Sequence, residues 1–183
     1  MKKKEFGVGS SNQAALVVYD PDPIYNFDEQ ICESFAKGLS DNKWKVTVAT
    51  VTAAKKLNEA NFDLYVFCAN TYNWSPDWTI CRYIERLPAI ENKNVVIITV
   101  GAGSTRKSQR LFEEAIQAKN SHIIDSKQFW LWRPNDTTRL KESNFKVGAE
   151  MSRSWANSIA KTINPGPRSE EHTSELQSQN RIS

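Results

Sequence analysis

Histidine is nearly missing from this 183-residue chain: there are 2, and His122 is the only one before the polar tail. A Ser-His-Asp or Cys-His catalytic arrangement therefore has almost nothing to build on. His122 lies beside a predicted strand with no obvious partner, so a structural role is expected for it. Cysteine is scarce too. Cys32, Cys68 and Cys81 form no CxxC pair and lack zinc spacing. Cys32 and Cys68 fall in apolar settings, which predicts buried thiols in a reducing, cytoplasmic location. No apolar run approaches the length of a membrane span. The basic opening Met1-Lys2-Lys3-Lys4 is too far from the short run of residues 14–19 to form a signal peptide. A net charge of +3 is too mild to imply nucleic acid. With 39% hydrophobic and 25% charged residues, the composition is that of one ordinary folded domain.

Residues 14–19 (Ala, Ala, Leu, Val, Val, Tyr) show no polar alternation and predict a central strand. A loop with Pro21 and Pro23 leads to a helix whose apolar face is Phe27, Ile31, Phe35 and Leu39. Asn26 or Asp28 can cap its start, and Gly38 falls near its end. Residues 44–51 alternate, which predicts an edge strand. Residues 64–69 read as a strand buried on both faces, after a short polar link. A helix after Pro76 draws on Trp78, Cys81, Tyr83, Ile84 and Leu87 and stops before Pro88. Residues 94–100 are the fourth strand, followed by the tight turn Gly101-Ala102-Gly103-Ser104. A helix over residues 107–119 follows, with Leu111, Phe112, Ala115 and Ile116 on one stripe. Residues 123–124 and 129–132 form a last strand region, one broken or edge strand. Val147, Met151, Trp155 and Ile159 mark a final helix. Strands alternating with helices predict an α/β fold, a parallel sheet covered on both faces.

Several stretches then resemble one family. Val17-Val18-Tyr19, a loop and a helix ending Phe35-Ala36-Lys37-Gly38-Leu39 are similar to the opening of a flavodoxin-family domain. Phe62-Asp63-Leu64-Tyr65-Val66-Phe67 with Asn70, Thr71, Tyr72, Asn73, Trp74, Ser75 and Pro76 resembles that family's third-strand signature. Val96 to Gly103 resembles its fourth strand and glycine turn. Arg133-Pro134-Asn135-Asp136 is similar to a segment of flavodoxin-like quinone reductases. The resemblance spans residues 14–163. It implies a doubly wound, five-stranded parallel sheet of order 2-1-3-4-5 with FMN at the switch point. Thr71, Tyr72, Asn73 and Trp74 would flank the flavin ring, and Gly101, Ala102 and Gly103 would approach its pyrimidine edge. Residues 1–13 are expected to be a disordered lead-in. Residues 164–183 are expected to be a disordered tail; from Arg168 it resembles a translated sequencing adapter.

The first loop departs from that pattern. Residues 20–29 hold no Gly, Ser or Thr, and two prolines remove amide donors. Asp20, Asp22, Asp28 and Glu29 put negative charge where a phosphate would sit. At about 6 Å each like-charge pair costs on the order of 1–3 kcal/mol. Three readings stay open: an FMN-dependent electron carrier or flavin/quinone reductase with a redox partner protein; a module of the same fold that has lost FMN; and a phosphate or nucleotide binder at the Gly101 turn. The last is weak, because Arg106 stands where a dinucleotide fingerprint needs its third glycine. Ser104, Thr105, Arg106 and Lys107 read more simply as a solvated helix start. Asp20 with Asp22 as a metal pair lacks the rest of such a site.

Overall fold

The computed structural model describes residues 2–7, 13–57 and 62–163. The strands are β1 (Lys3–Phe6), β2 (Ala14–Tyr19), β3 (Lys45–Thr50), β4 (Leu64–Tyr72), β5 (Ser75–Pro76), β6 (Asn94–Gly101) and β7 (His122–Trp130). The helices are α1 (Phe27–Asp41), α2 (Val51–Ala54), α3 (Trp78–Glu85), α4 (Arg106–Gln117) and α5 (Asn144–Ile163).

Five parallel strands lie in the order β3-β2-β4-β6-β7. Counted along the chain from β2, that is the expected 2-1-3-4-5. The register explains why the apolar runs belong together. Val48, Val17, Val66 and Val96 align across four neighbouring strands. All four are buried in one core with Phe35, Leu39 and Trp155, which places α1 and α5 on that face. The alternate residues Leu16, Tyr65 and Val95 face the other way, against Ile84 of α3 and Phe112 of α4. Period-two alternation within a sheet covered on both sides leaves no polar face, hence the continuous apolar sequence.

The lead-in differs from expectation. Lys3–Phe6 pairs antiparallel with β3, covering the edge that the alternation of residues 44–51 had marked. Its lysines hold it there. Lys2 and Lys4 pair with Glu29, and Lys4 also with Glu33, both on α1. A lysine-rich strand lacks an apolar signature, which hid it; it also suits an outermost strand, where charge discourages further pairing. The expected tail, residues 164–183, lies outside the described residues.

Three local readings change as well. Gly38 lies inside α1 rather than ending it, and a Cβ there would come within 2.3 Å of the Arg153 carbonyl oxygen of α5. Gly148 of α5 meets the Phe27 ring in the same way, at 3.0 Å. These two glycines let α1 and α5 touch. The last strand is continuous, with Ile124 as the extra residue of a bulge opposite Val95 and Val96. Trp78, expected to face the core, is exposed on α3. Among the described residues no helix is long and apolar enough to cross a membrane.

Candidate functional site

The carboxyl ends of β2, β4 and β6 converge, and each releases its loop differently. Beyond β4 the chain makes a two-residue hairpin, since Thr71 pairs with Pro76 and Tyr72 with Ser75. The turn residues Asn73 and Trp74 have φ of 49° and 59°. Paired positive φ values are the mark of a type I′ turn, whose second position normally holds glycine. A side chain in this left-handed region costs about 1–2 kcal/mol. Tryptophan is therefore an expensive occupant, and it is 60% exposed. Strain of this kind collects where a side chain is displayed for use. Asp77 closes the hairpin by capping α3, its Oδ1 accepting from the Thr79 and Ile80 amides.

Beyond β2 the loop turns its polar groups on itself. Asp22 Oδ1 accepts from the amides of Ile24 and Tyr25, at 2.8 Å each. Its Oδ2 accepts from the Tyr72 hydroxyl at 2.7 Å. Asp28, in the first turn of α1, is buried. Its Oδ2 accepts from the Asp22 amide and from Asn70 Nδ2, both at 2.9 Å, and its Oδ1 from the Glu29 amide. A helix N-terminus with free amides attracts an anion. Here the chain's own carboxylates take three loop amides just before the helix and one, that of Glu29, in its first turn. Neither expected cap works in the ordinary way: Asn26 bonds Gln30 instead, and Asp28 reaches back to the loop.

The four acids of this region separate into distinct roles. Glu29 is taken by Lys2 and Lys4, and its carboxyl is held below the usual range, first by the Lys2 hydrogen bond. Asp20 is pushed up by burial, against a hydrogen bond from Thr79. Asp22 is net lowered: burial is the largest influence and pulls upward, but the Tyr72 hydroxyl with the Tyr25 and Ile24 amides outweighs it. Asp28 is net raised by burial, against the Asn70 and amide hydrogen bonds. The Tyr72 hydroxyl is pushed up, by burial first and then by Asp22.

Beyond β6, Gly101 is demanded by the protein itself. A Cβ there would lie 2.5 Å from Thr105 Cγ2 and 3.0 Å from Thr71 Cβ. Arg133 packs on Gly103 and donates to its carbonyl oxygen at 3.0 Å. The glycine turn is thus a close-packing device. Thr105 is buried and fully used, donating to Gln128 Oε1 and accepting from Trp130 Nε1. After β7 the ladder continues past the strand: the Leu131 and Trp132 amides donate to the Gly101 and Ala102 carbonyls. Asn135 clasps both backbone groups of Trp130. This places Trp132, 70% exposed, beside the β6 turn.

Between these loops lies a cleft of about 140 Å³. Tyr25, Phe27, Tyr72 and Trp132 line it, with Asp22 and Asp28. Thr71 and Ala102 join it to a shallower groove of about 240 Å³ that holds Asn73, Trp74 and Gly103. Thr71 Oγ1 is buried with no hydrogen-bond partner among the described residues. Cys81 lies in another groove, below the hairpin, and burial pushes its thiol up to about 11, which makes it a poor nucleophile.

The structure therefore brings together all seven residues singled out in the sequence. Thr71, Tyr72, Gly101 and Ala102 line the cleft, and Thr71, Asn73, Trp74, Ala102 and Gly103 the adjoining groove. Tyr25 and Trp132 escaped notice. Tyr25 sits in a proline-punctuated loop, and Trp132 looked like part of a strand that ends at Trp130. His122 is exposed at the far end of β7.

No protein-family model matches the chain, and no curated protein sequence matches it. Its fold has close company among solved structures. A flavodoxin from the domain Archaea superposes with a TM-score of 0.64 at 12% identity, over 82% of this chain and 99% of that one. A flavodoxin, WrbA-like protein from Agrobacterium tumefaciens gives 0.61 at 15% identity, over 85% and 99%. Rubredoxin oxygen:oxidoreductase from Desulfovibrio gigas gives 0.63 at 12%, over 85% of this chain but 37% of that one. The chain has the flavodoxin-like fold.

Proposed function

We propose that this flavodoxin-like domain is a binding module that does not grip FMN by its phosphate. The carrying observation is the closure of the first loop: Asp22 and Asp28 accept from the loop amides of Asp22, Ile24 and Tyr25, and Asp28 also from the Glu29 amide in the first turn of α1. The residues present do not fit a phosphate dianion. It would find those donors engaged and would stand beside Asp22, a carboxylate held below the ordinary range and therefore ionised at neutral pH. The cleft with its aromatic walls, and the orphaned Thr71 hydroxyl, fit a small uncharged or positively charged ligand instead. Few convergent polar groups in an apolar cleft are what orient such a molecule.

One observation favours a second reading. Trp74 is held in a strained turn over the groove that contains Ala102 and Gly103. A flavin gripped by its ring alone would suit that groove, with electron transfer to a redox partner protein or a reductase activity following from the flavin's own chemistry.

The visible spectrum separates the two. The binding-module reading expects purified protein without flavin absorbance, unchanged by micromolar FMN. A bound-flavin spectrum at micromolar FMN returns the domain to the flavoproteins. Riboflavin that binds as well as FMN supports the ring-held version.

A further inference from the structure

We propose that the cleft between the loop after β2 and the β4–β5 hairpin binds a small organic cation of the alkylated ammonium class. This rests on reading the carboxyl edge as a ligand site without a phosphate function.

Three observations converge on that chemistry. The first is the walls. Tyr25, Phe27, Tyr72 and Trp132 are among the residues that line the space, and aromatic rings attract a cation through their quadrupole. The second is charge. Asp22 and Asp28 share the lining, and among the described residues none that lines it is Lys, Arg or His. The amides and hydroxyl that bond these carboxylates are dipoles and do not cancel their charge. Asp22, held below the ordinary carboxyl range, stays ionised at neutral pH.

The third observation fixes the type of cation. Each carboxylate already accepts three hydrogen bonds, Asp22 from Ile24, Tyr25 and Tyr72, and Asp28 from Asp22, Glu29 and Asn70. A primary ammonium or a guanidinium must find acceptors for every N–H that it strips of water. These acceptors are largely spent. A quaternary ammonium has no N–H and asks only for negative potential and apolar contact.

Calorimetric titration of the full chain tests this with choline, its uncharged isostere 3,3-dimethylbutan-1-ol, methylammonium and riboflavin. The expected result is choline binding at least tenfold tighter than both the isostere and methylammonium. Asp22→Asn is expected to weaken choline at least tenfold, with its circular dichroism unchanged. Should Asp22→Asn unfold, Trp132→Leu and Tyr25→Leu, both at exposed side chains, are expected to weaken choline at least threefold and to leave the isostere within twofold. Equal binding of choline and the isostere overturns cation recognition and leaves the ligand cleft standing. So does binding of riboflavin without choline. No binding of any of the four overturns the inference and the ligand-cleft reading together.

Discussion

Two loops at the same sheet edge solve opposite problems. The loop after β2 satisfies itself, with Asp22 and Asp28 taking its amides and drawing in Asn70 and Tyr72. The hairpin after β4 leaves itself unsatisfied, with Trp74 exposed at positive φ and Thr71 Oγ1 unpaired among the described residues. Both leave parallel strands at the topological switch point, where such folds hold ligands. The difference teaches that a shared fold sets where a ligand can sit, while the partners of a few backbone amides set which ligand. A loop whose amides face its own carboxylates offers fewer donors to an anion. A strained, displayed ring has not given up contact.

Asp28→Ala should break the comparison most forcefully. It strands two amides and the Asn70 carboxamide in a buried place, and should cost about 3 kcal/mol in urea unfolding. A loss below about 1 kcal/mol would mean the loop does not depend on that carboxylate.

Asp22→Ala comes next, at about 1.5 kcal/mol near pH 6, from three lost hydrogen bonds at a half-buried site. Its pH dependence carries a sign. The folded carboxyl lies below its ordinary 3.8, so its stabilisation is present above that value and disappears as pH falls through the folded value. The gap between variant and parent should shrink below pH 3.8. Asp28 behaves oppositely: its raised folded value means that stability from this group is greatest below 3.8 and declines as pH rises through the folded value. Denaturant midpoints measured across the acid range check both signs.

Trp74→Gly sharpens the other side. Relief of the left-handed strain, less the entropy glycine adds to the unfolded chain, should stabilise by about 0.5–1 kcal/mol. A destabilised variant would show that the ring packs rather than waits. The smallest effect belongs to Glu29→Gln, whose ion pairs with Lys2 and Lys4 fasten β1 outside the site. It should change stability by less than about 1 kcal/mol and leave choline affinity untouched.

Much of the fold was legible because burial writes itself in apolar runs. The valines at 17, 48, 66 and 96 announced strands, and the four-residue steps of Phe27, Ile31, Phe35 and Leu39 announced a helix. β1 was not legible, since Lys2 and Lys4 fasten it to α1 through charge rather than burial. Gly38 looked like a helix end because a sequence does not say which helix will press against it. The site was legible in part. Thr71, Tyr72, Asn73 and Trp74 stood out as aromatic and polar residues after a buried strand. The acidity of the first loop was plain too, but not its division of labour: only geometry shows Glu29 turned to the lysines and Asp22 turned to the amides. Trp132 reaches the site through main-chain bonds, from the Leu131 amide to Gly101 and from its own amide to Ala102, which a side-chain pattern cannot reveal.

The central claim is that the amides of the first loop are already taken. Two-dimensional proton–nitrogen NMR during titration with FMN addresses it directly, through the amides of Asp22, Ile24, Tyr25 and Glu29. The account predicts that these four resonances stay in place up to millimolar FMN, whatever the ring does at Trp74. Saturating shifts of all four at micromolar FMN would contradict it.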